Sequence, residues 1–225
     1  MNPALALSEG FDSHTGGSDV FDRIARAVER DGYVYLDGAL PLQLTAALHC
    51  RATNLEPDRD LMPAGIGRDI DHHVNRFVRT DRIHWLGREQ AGESAFFAWM
   101  DRLRLGLNRR LFLGLFDYEC HFAHYGPGDY YKRHTDAFHG QTNRVLSTVL
   151  YLNPEWQSGD GGELLMYPHN GLEPLERIAP VYGRLVVFLS ETFPHEVLAC
   201  RRDRYSIAGW FRVNASIAGA IDPPR

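Results

Sequence analysis

The pattern of hydrophobic residues changes near Tyr118, and this change constrains the fold more than any other feature of the chain. Before it, apolar residues recur at three- and four-residue intervals, which is typical of amphipathic helices. Beyond it, the chain is a series of short runs rich in β-branched and aromatic residues, separated by turn sequences such as GPGD, NPEW and SGDGG. Helices followed by many closely spaced strands predict an α+β fold, in which a two-sheet barrel or jelly roll packs against N-terminal helices.

Three helices are expected in the first half of the chain. They correspond to VFDRIARAVERD, which ends at Gly32, to LQLTAALHCRA after Pro41, and to SAFFAWMDRLRLGLNRRLF. The polar run from Leu55 to His73 is expected to be a long loop, and residues 1–18, rich in Ser, Gly and Asp, a loose tail. Residues 19–225 are then predicted to form one domain, since 225 residues suffice for a single core.

Composition excludes several classes of partner. The formal net charge of −5 gives no overall attraction to a phosphate backbone, so nucleic acid is not an expected partner. The cysteines are three and far apart, which favours a reducing compartment over a disulfide framework. Because the N-terminus has no basic region and no later stretch is long and apolar enough for a bilayer, we expect a cytoplasmic protein without a membrane partner.

A metal-binding pair is suggested by the sequence YKRHTDA. His134 and Asp136 are two residues apart, and on a strand this spacing directs both side chains to the same face. Two imidazoles and one carboxylate form the facial triad that suits non-haem Fe(II), so a second histidine is needed. His195 is the best candidate, because it begins a strand directly after the run RLVVFLS, where a jelly roll returns the chain.

Arg204 is the candidate anion-binding residue. If HEVLAC and DRYSIAGW form a hairpin, residue 195 lies opposite residue 208, and Arg204 and Ser206 share the same face. Arg204 is then roughly 13 Å along the strand from the metal end. A chelating 2-oxo acid spans such a gap, with its far carboxylate held by the guanidinium and by the hydroxyl of Ser206.

At these residues the sequence resembles the prolyl-hydroxylase-domain type of 2-oxoglutarate/Fe(II) oxygenase. The likeness runs from about Val78 to Val213, through VRTDRIHWL, HYGPGDYYKRHTD, VLYLNPEW, GGELLMYP, RLVVFLSETFPHEV and RYSIAGWFR. It implies a double-stranded β-helix in which the triad ligates Fe(II), O₂ and 2-oxoglutarate are co-substrates, and ascorbate serves as a reductant.

The resemblance also implies roles for further residues. Tyr151 and Tyr125 are expected to line the 2-oxoglutarate pocket with Arg204, and Ser206 to replace the hydrogen bond of a threonine that the family has at the position of Ala208. The segment VRTDRIHWL matches a mobile loop over the entrance that, in the family, touches a peptide substrate, and its substrate-side residues are Arg79, Asp81 and Trp85. Asp81 and Arg144 match an ion pair that ties this loop to the barrel.

The expected activity is therefore hydroxylation of a prolyl residue in a protein, and bacterial relatives make a translation elongation factor a candidate substrate. Two alternatives stay open: a hydroxylase of a free amino acid or other small metabolite, and a cupin-like metal-binding or sensing protein without turnover. His72 and His73 are expected to be loop histidines, His121 and Tyr118 ordinary sheet positions, and Trp99 and Trp210 core residues.

Overall fold

Three helices precede most of the strands in the computed structural model, which describes residues 16–65, 77–137 and 143–213. They are α1 (Gly16–Asp31), α2 (Leu42–Thr53) and α3 (Ala91–Leu111), in the three regions predicted. Helix α1 ends as expected at Gly32, which has a φ of 80° and donates its N–H to the carbonyl of Val28. It begins at Gly16, so residues 16–18 are helical and do not belong to a loose tail.

Eleven strands occur in these residues, and they form two antiparallel sheets. A seven-stranded sheet has the order β1-β9-β6-β11-β4-β3-β2, and a four-stranded sheet has the order β5-β10-β7-β8. The larger sheet contains β1 (Tyr33–Asp37), β2 (Met62–Pro63), β3 (Arg82–Trp85), β4 (Leu115–Tyr125), β6 (Arg144–Tyr151), β9 (Arg184–Leu189) and β11 (Arg204–Val213). The smaller contains β5 (Tyr131–His134), β7 (Leu164–Met166), β8 (Glu176–Ile178) and β10 (His195–Val197).

The predicted hairpin between HEVLAC and DRYSIAGW is wrong. Strand β10 pairs with β5 and β7, whereas β11 pairs with β4 and β6, so the two segments belong to different sheets. Residue 195 lies opposite His134 and Met166, and residue 208 lies opposite His121 and Val149. The connection at residues 201–203 is a crossing between sheets rather than a tight turn within one.

Two segments expected to be loops contain short strands. Residues 62–63 form β2 within the loop predicted for residues 55–73, and residues 82–85 of VRTDRIHWL form β3, which pairs with β4. Residues 78–80 are tied to β5, since Lys132 donates to the carbonyl of Val78 and Thr80 donates to that of Tyr130. His72 and His73 lie outside the described residues.

The larger sheet separates two hydrophobic cores, as the alternation of side chains along its strands requires. On β9, Leu185 and Val187 pack in the core shared with the helices, whereas Val186 and Phe188 face the core between the sheets. The helices thus brace one face of the sheet, and the other face lines the barrel interior. Among the described helices, none combines the length and apolarity that a bilayer crossing requires.

Helix α3 offers a direct test of this bracing. Leu107 is fully buried against the sheet core, whereas Leu105 on the same helix is 46% exposed. Leu107→Ala should lower the free energy of unfolding by about 2–5 kcal/mol, because it removes buried methyl groups and leaves a cavity. Leu105→Ala makes the same chemical change at a solvated position and should stay within about 0.5 kcal/mol of the wild type. Urea denaturation of both variants measures the difference, and equal destabilisation would contradict the packing of α3.

Candidate metal centre and co-substrate pocket

Three side chains converge between the sheets at one end of the smaller sheet. His134 ends β5, His195 begins β10, and these two residues are paired across the strands. Asp136 follows β5 by two residues. Each of the three offers a ligand atom within 4.8 Å of the others, an arrangement that can hold a metal ion. His195 is distant in sequence from the other two and meets them only through the fold.

The ligand atoms face one another. Nε2 of His134 is 3.5 Å from Oδ1 of Asp136, and Nε2 of His195 is 3.7 Å from Oδ2 of the same carboxylate. The Nδ1 atoms point the other way, since that of His134 lies 2.9 Å from the carbonyl of Lys132 and that of His195 lies 2.9 Å from the carbonyl of Phe193. A carbonyl can only accept, so both rings carry the proton on Nδ1 and present Nε2 as a free lone pair.

The protonation states also suit a cation. Burial lowers the pKa of His195 to about 4. The neighbouring His134 lowers this pKa further, and Asp136 raises it without reversing the shift, so the imidazole is neutral near pH 7. Burial alone raises the pKa of Asp136, but His195, His134 and the hydroxyl of Ser147 outweigh it and hold that pKa well below the usual value. A neutral imidazole and an ionised carboxylate are the forms that metals bind.

Ser147 is a contact that the sequence analysis missed. Its hydroxyl donates to Oδ2 of Asp136 at 2.6 Å and lies 2.9 Å from the hydroxyl of Ser190. Ser147 lies four residues before Tyr151 on β6, and period-two alternation places both on the same face. The signal was therefore present once Tyr151 had been assigned to the barrel interior.

Tyr131 is a second missed residue. Its ring stacks on that of His134, with centroids 3.5 Å apart, and lies under the guanidinium of Arg79. The neighbouring sequence did not indicate this, because Tyr131 and His134 are three residues apart on a strand whose pairing with β10 is irregular. Simple alternation would place these two side chains on opposite faces.

Arg204 lies in the larger sheet and is 2% exposed, which is unusual for a guanidinium. Its Nε donates to the carbonyl of Gly162 at 2.9 Å and its Nη1 to the hydroxyl of Ser206 at 3.3 Å. A side chain at position 162 would meet Cδ of Arg204 at 2.9 Å, so glycine there, at a φ of 65°, allows the backbone to approach. Strand register brings Arg204 opposite Tyr125 and Ser206 opposite Tyr151.

Two tyrosines surround this guanidinium. Its carbon lies 4.8 Å from the ring centre of Tyr125 and 5.0 Å from that of Tyr151, and both rings are buried. The hydroxyl of Tyr151 is sealed from solvent without a hydrogen-bond partner in the described part of the chain. A buried cation beside an unpartnered hydroxyl donor fits a bound carboxylate, and this pocket therefore suits the distal carboxylate of 2-oxoglutarate.

The charged residues expected at the entrance form two separate ion pairs. Asp81, which is 1% exposed, binds Arg79 through two hydrogen bonds of 2.6 and 2.9 Å. Arg144 is bonded instead to Glu119 at 2.9 Å, and its guanidinium lies 3.6 Å from the ring centre of Trp210. Neither of these contacts joins Asp81 to Arg144, so that pair stays a prediction. The bulge in β6 next to Arg144 redirects this side chain towards β4.

Trp85 lies at the end of β3 and is 41% exposed, with its indole against the imidazole of His121 at a centroid distance of 5.2 Å. It is held by the sheet and not by a loop. Arg79, by contrast, lies just before this strand, where it forms an isolated bridge with Tyr131. Arg79 thus lies next to the ring that stacks on His134, whereas the shown contact of Trp85 is with His121.

Comparison with known proteins agrees with this geometry. A model of the 2OG-Fe(II) oxygenase superfamily matches residues 120–212, which include the triad and Arg204. Prolyl hydroxylase EGLN3 of Mus musculus is 30% identical over 188 residues, covering 80% of this chain and 78% of the relative. The human EGLN3 is 28% identical over 195 residues, with the same coverage.

Two solved structures share both sequence and fold. A Pseudomonas putida prolyl-4-hydroxylase is 41% identical, with a TM-score of 0.78 over 86% of this chain and 99% of that one. A Trichoplax adhaerens prolyl hydroxylase, in complex with a peptide fragment of the hypoxia inducible factor oxygen degradation domain, is 27% identical, with a TM-score of 0.77 over 87% and 90%. The two-sheet architecture is thus the double-stranded β-helix that was predicted, and the chain belongs to the 2OG-Fe(II) oxygenase superfamily, with prolyl hydroxylases as its relatives.

Proposed function

We propose that this protein hydroxylates a prolyl residue in a protein substrate, with Fe(II) held by His134, Asp136 and His195. The observation that carries the proposal is the convergence of this triad and a buried, carboxylate-seeking Arg204 inside one barrel. Iron, 2-oxoglutarate and O₂ together would supply the oxidising chemistry: one atom of O₂ enters the substrate as a hydroxyl group, and the other enters the succinate that forms from 2-oxoglutarate with loss of carbon dioxide.

The chain's own contribution at the metal is preorganisation. The carbonyls of Lys132 and Phe193 orient the two imidazoles, and Ser147 orients the carboxylate of Asp136. These three side chains would hold the ion and would leave coordination positions for the co-substrates. Because β5 and β10 are paired strands, these ligands need little rearrangement when the ion binds.

Arg204 is proposed to bind the distal carboxylate of 2-oxoglutarate. The guanidinium offers a planar fork that matches a carboxylate, and Tyr151 supplies a hydroxyl that has no other partner among the described residues. Ser206 holds Nη1 in place, and Tyr125 closes the other side of the guanidinium. The carboxylate of the co-substrate would then meet a buried guanidinium that is held only by neutral oxygen atoms, in a pocket that excludes water.

The substrate side is proposed to include Arg79, Asp81, Trp85 and Arg144. The half-exposed indole of Trp85 offers an apolar surface, which suits a pyrrolidine ring. Arg79 and Asp81 fix the backbone that leads into β3, since their pair is buried. The relatives named as prolyl hydroxylases, one of them bound to a peptide, support a polypeptide over a small metabolite. A translation elongation factor is the candidate substrate.

The first prediction concerns the metal. His134→Ala and Asp136→Ala should abolish retention of iron, because each removes one of only three protein ligands. Ser147→Ala should weaken iron affinity by about 10- to 100-fold, since it releases the orientation of Asp136. His124→Ala is the control, because that imidazole pairs with Asp203 away from the triad. Iron content after gel filtration measures the effect, and full iron in the His134→Ala variant would exclude it as a ligand.

The second prediction concerns the co-substrate. Arg204→Ala should raise the Kd for 2-oxoglutarate by about 10- to 100-fold while iron content stays normal, because a charge-assisted pair is lost. Arg204→Lys keeps the charge but lacks the planar guanidinium, so its Kd for 2-oxoglutarate should lie between those of the wild type and Arg204→Ala. Arg202→Ala, which removes an exposed guanidinium two residues away, is the control. Isothermal titration with 2-oxoglutarate measures Kd, and wild-type affinity in Arg204→Ala would contradict this assignment.

The third prediction tests the activity itself. The iron-loaded enzyme with 2-oxoglutarate should add one oxygen atom to proline in a purified translation elongation factor or in the oxygen degradation domain peptide of the hypoxia inducible factor. Mass spectrometry of the polypeptide and succinate measurement report the two halves of the reaction. Oxygen on free L-proline alone would support the small-metabolite alternative. A cupin-like protein without turnover would form no succinate with any of the three substrates, and either result would contradict the proposal.

A further inference from the structure

The imidazole of His134 lies against an aromatic ring from its own strand. The ring of Tyr131 is nearly parallel to it, with an interplanar angle of 13° and centroids 3.5 Å apart. The hydrogen bond from Nδ1 of His134 to the carbonyl of Lys132 sets one direction in the imidazole, but a single hydrogen bond leaves the tilt of the ring free. A flat neighbour in face-to-face contact removes that freedom, so Tyr131 sets the plane in which Nε2 of His134 lies.

This face-to-face contact suits an imidazole that is bound to a cation. Two neutral rings prefer an offset or edge-to-face arrangement, because their negative faces repel each other. An imidazole whose Nε2 is bound to a cation is electron-poor, and a positively polarised group is attracted to the face of a phenol ring. The contact between Tyr131 and His134 is therefore more favourable with a metal ion on Nε2 than without one.

Tyr131 is itself held by Arg79. The guanidinium carbon lies 4.7 Å from the centre of the tyrosine ring, and the two residues form an isolated β-bridge. Arg79 is fixed in turn by its two hydrogen bonds to Asp81, whose side chain is fully buried. The side chain of Arg79 is 11% exposed, so this guanidinium is enclosed and already engaged by a carboxylate and a ring.

The backbone of the same segment reaches His134 by a second route. The carbonyl of Val78 accepts a hydrogen bond from the N–H of Lys132 at 2.9 Å, and the carbonyl of Lys132 accepts the one from Nδ1 of His134. Thr80 donates its N–H to the carbonyl of Tyr130, and its hydroxyl accepts the N–H of Tyr130 at 2.9 Å. The segment therefore supports both the ring and the carbonyl that orient this imidazole.

We propose that Tyr131 and Arg79 are positioning residues of the metal centre: the ring of Tyr131 sets the plane of the His134 imidazole, and Arg79 holds that ring in place. This role rests on the proposed Fe(II) site, although neither side chain belongs to the triad. It adds a function to Arg79, which the family resemblance places on the substrate side. Loss of either side chain should therefore weaken metal binding in the absence of any substrate.

Co(II) is the probe, because it takes nitrogen and oxygen ligands and its visible spectrum reports on their geometry. The metal-free protein is titrated with Co(II) without 2-oxoglutarate or polypeptide. Tyr131→Leu should raise the Kd for Co(II) by about tenfold and change the visible spectrum of the loaded protein, because the imidazole loses its flat neighbour. Tyr131→Phe keeps the ring and should restore the spectrum and a Kd within about threefold of the wild type. Tyr130→Leu is the matched control, since the hydroxyl of this adjacent tyrosine donates to the carbonyl of Phe77 instead.

A second pair of variants tests Arg79. Arg79→Met alone would leave the carboxylate of Asp81 buried without this partner, so Arg79→Met is combined with Asp81→Leu. The double variant should raise the Kd for Co(II) by about three- to tenfold, because the stacked ring loses its support. Arg184→Met with Asp37→Leu is the matched control. This pair has the same two hydrogen bonds of 2.6 and 2.9 Å, and its guanidinium lies 5.4 Å from the ring centre of Tyr35 on β1, so its removal should leave the Kd unchanged.

A wild-type Kd and spectrum in Tyr131→Leu would show that the ring only fills space and would overturn the proposal. An equal rise in Tyr131→Leu and Tyr131→Phe would assign the effect to the hydroxyl and would overturn it as well. Wild-type affinity in the double variant of Arg79 and Asp81 would remove Arg79 from the metal centre.

A further measurement does not depend on how the variants fold. In zinc-loaded wild type, the ring current of Tyr131 should shift the imidazole protons of His134 upfield of those of zinc-bound imidazole in solution. Unshifted protons would show that the stack is absent from the metal-bound protein and would overturn the proposal. A wild type that binds no Co(II) contradicts the proposed metal centre instead, so the two failures are distinguishable.

Discussion

The pairing of β5 with β10 is the constraint on which the rest of the site depends. It sets His134 directly opposite His195, although 60 residues of chain and several strands separate them. Each imidazole is then oriented by the backbone carbonyl two residues before it in the sequence, so the direction of both lone pairs follows from the backbone alone. A metal site built from backbone geometry in this way keeps its ligands in place before the ion arrives, which limits the reorganisation that binding requires.

The barrel also buries the positive charge of Arg204, whose hydrogen bonds among the described residues are to neutral groups. Isolated ions are costly to desolvate, and such groups persist in proteins where function retains them. Arg204 is held by a backbone carbonyl and a serine hydroxyl, both neutral, and faces a tyrosine hydroxyl without a partner in the described chain. Arg79, in contrast, is neutralised by Asp81 through two hydrogen bonds. This difference supports the anion-binding role proposed for Arg204 and a structural role for Arg79.

Much of this arrangement was accessible from the sequence, because its strongest signals are local. Period-two spacing placed His134 and Asp136 on one face, and helical spacing found Leu107 and its neighbours in α3. The assumption that β10 and β11 form a hairpin failed, since which sheet a strand joins is decided by long-range pairing that adjacent residues do not encode. The bulge in β6 beside Arg144, whose side chain binds Glu119, is likewise a feature that local spacing does not encode.

Strand β11 links the two ends of the proposed active site. It pairs with β4 and β6 on both sides and carries Arg204 and Trp210 on its barrel face. They are six positions apart, so the proposed carboxylate-binding end lies about 20 Å along the strand from Trp210. On the opposite face, Ile207 and Phe211 are fully buried against the helices, which fixes the strand along its length. The distance between the proposed 2-oxoglutarate pocket and the part of the barrel around Trp210 is therefore set by one strand. A substitution that shifts this strand should disturb both ends together, whereas one that only removes a side chain at either end should not.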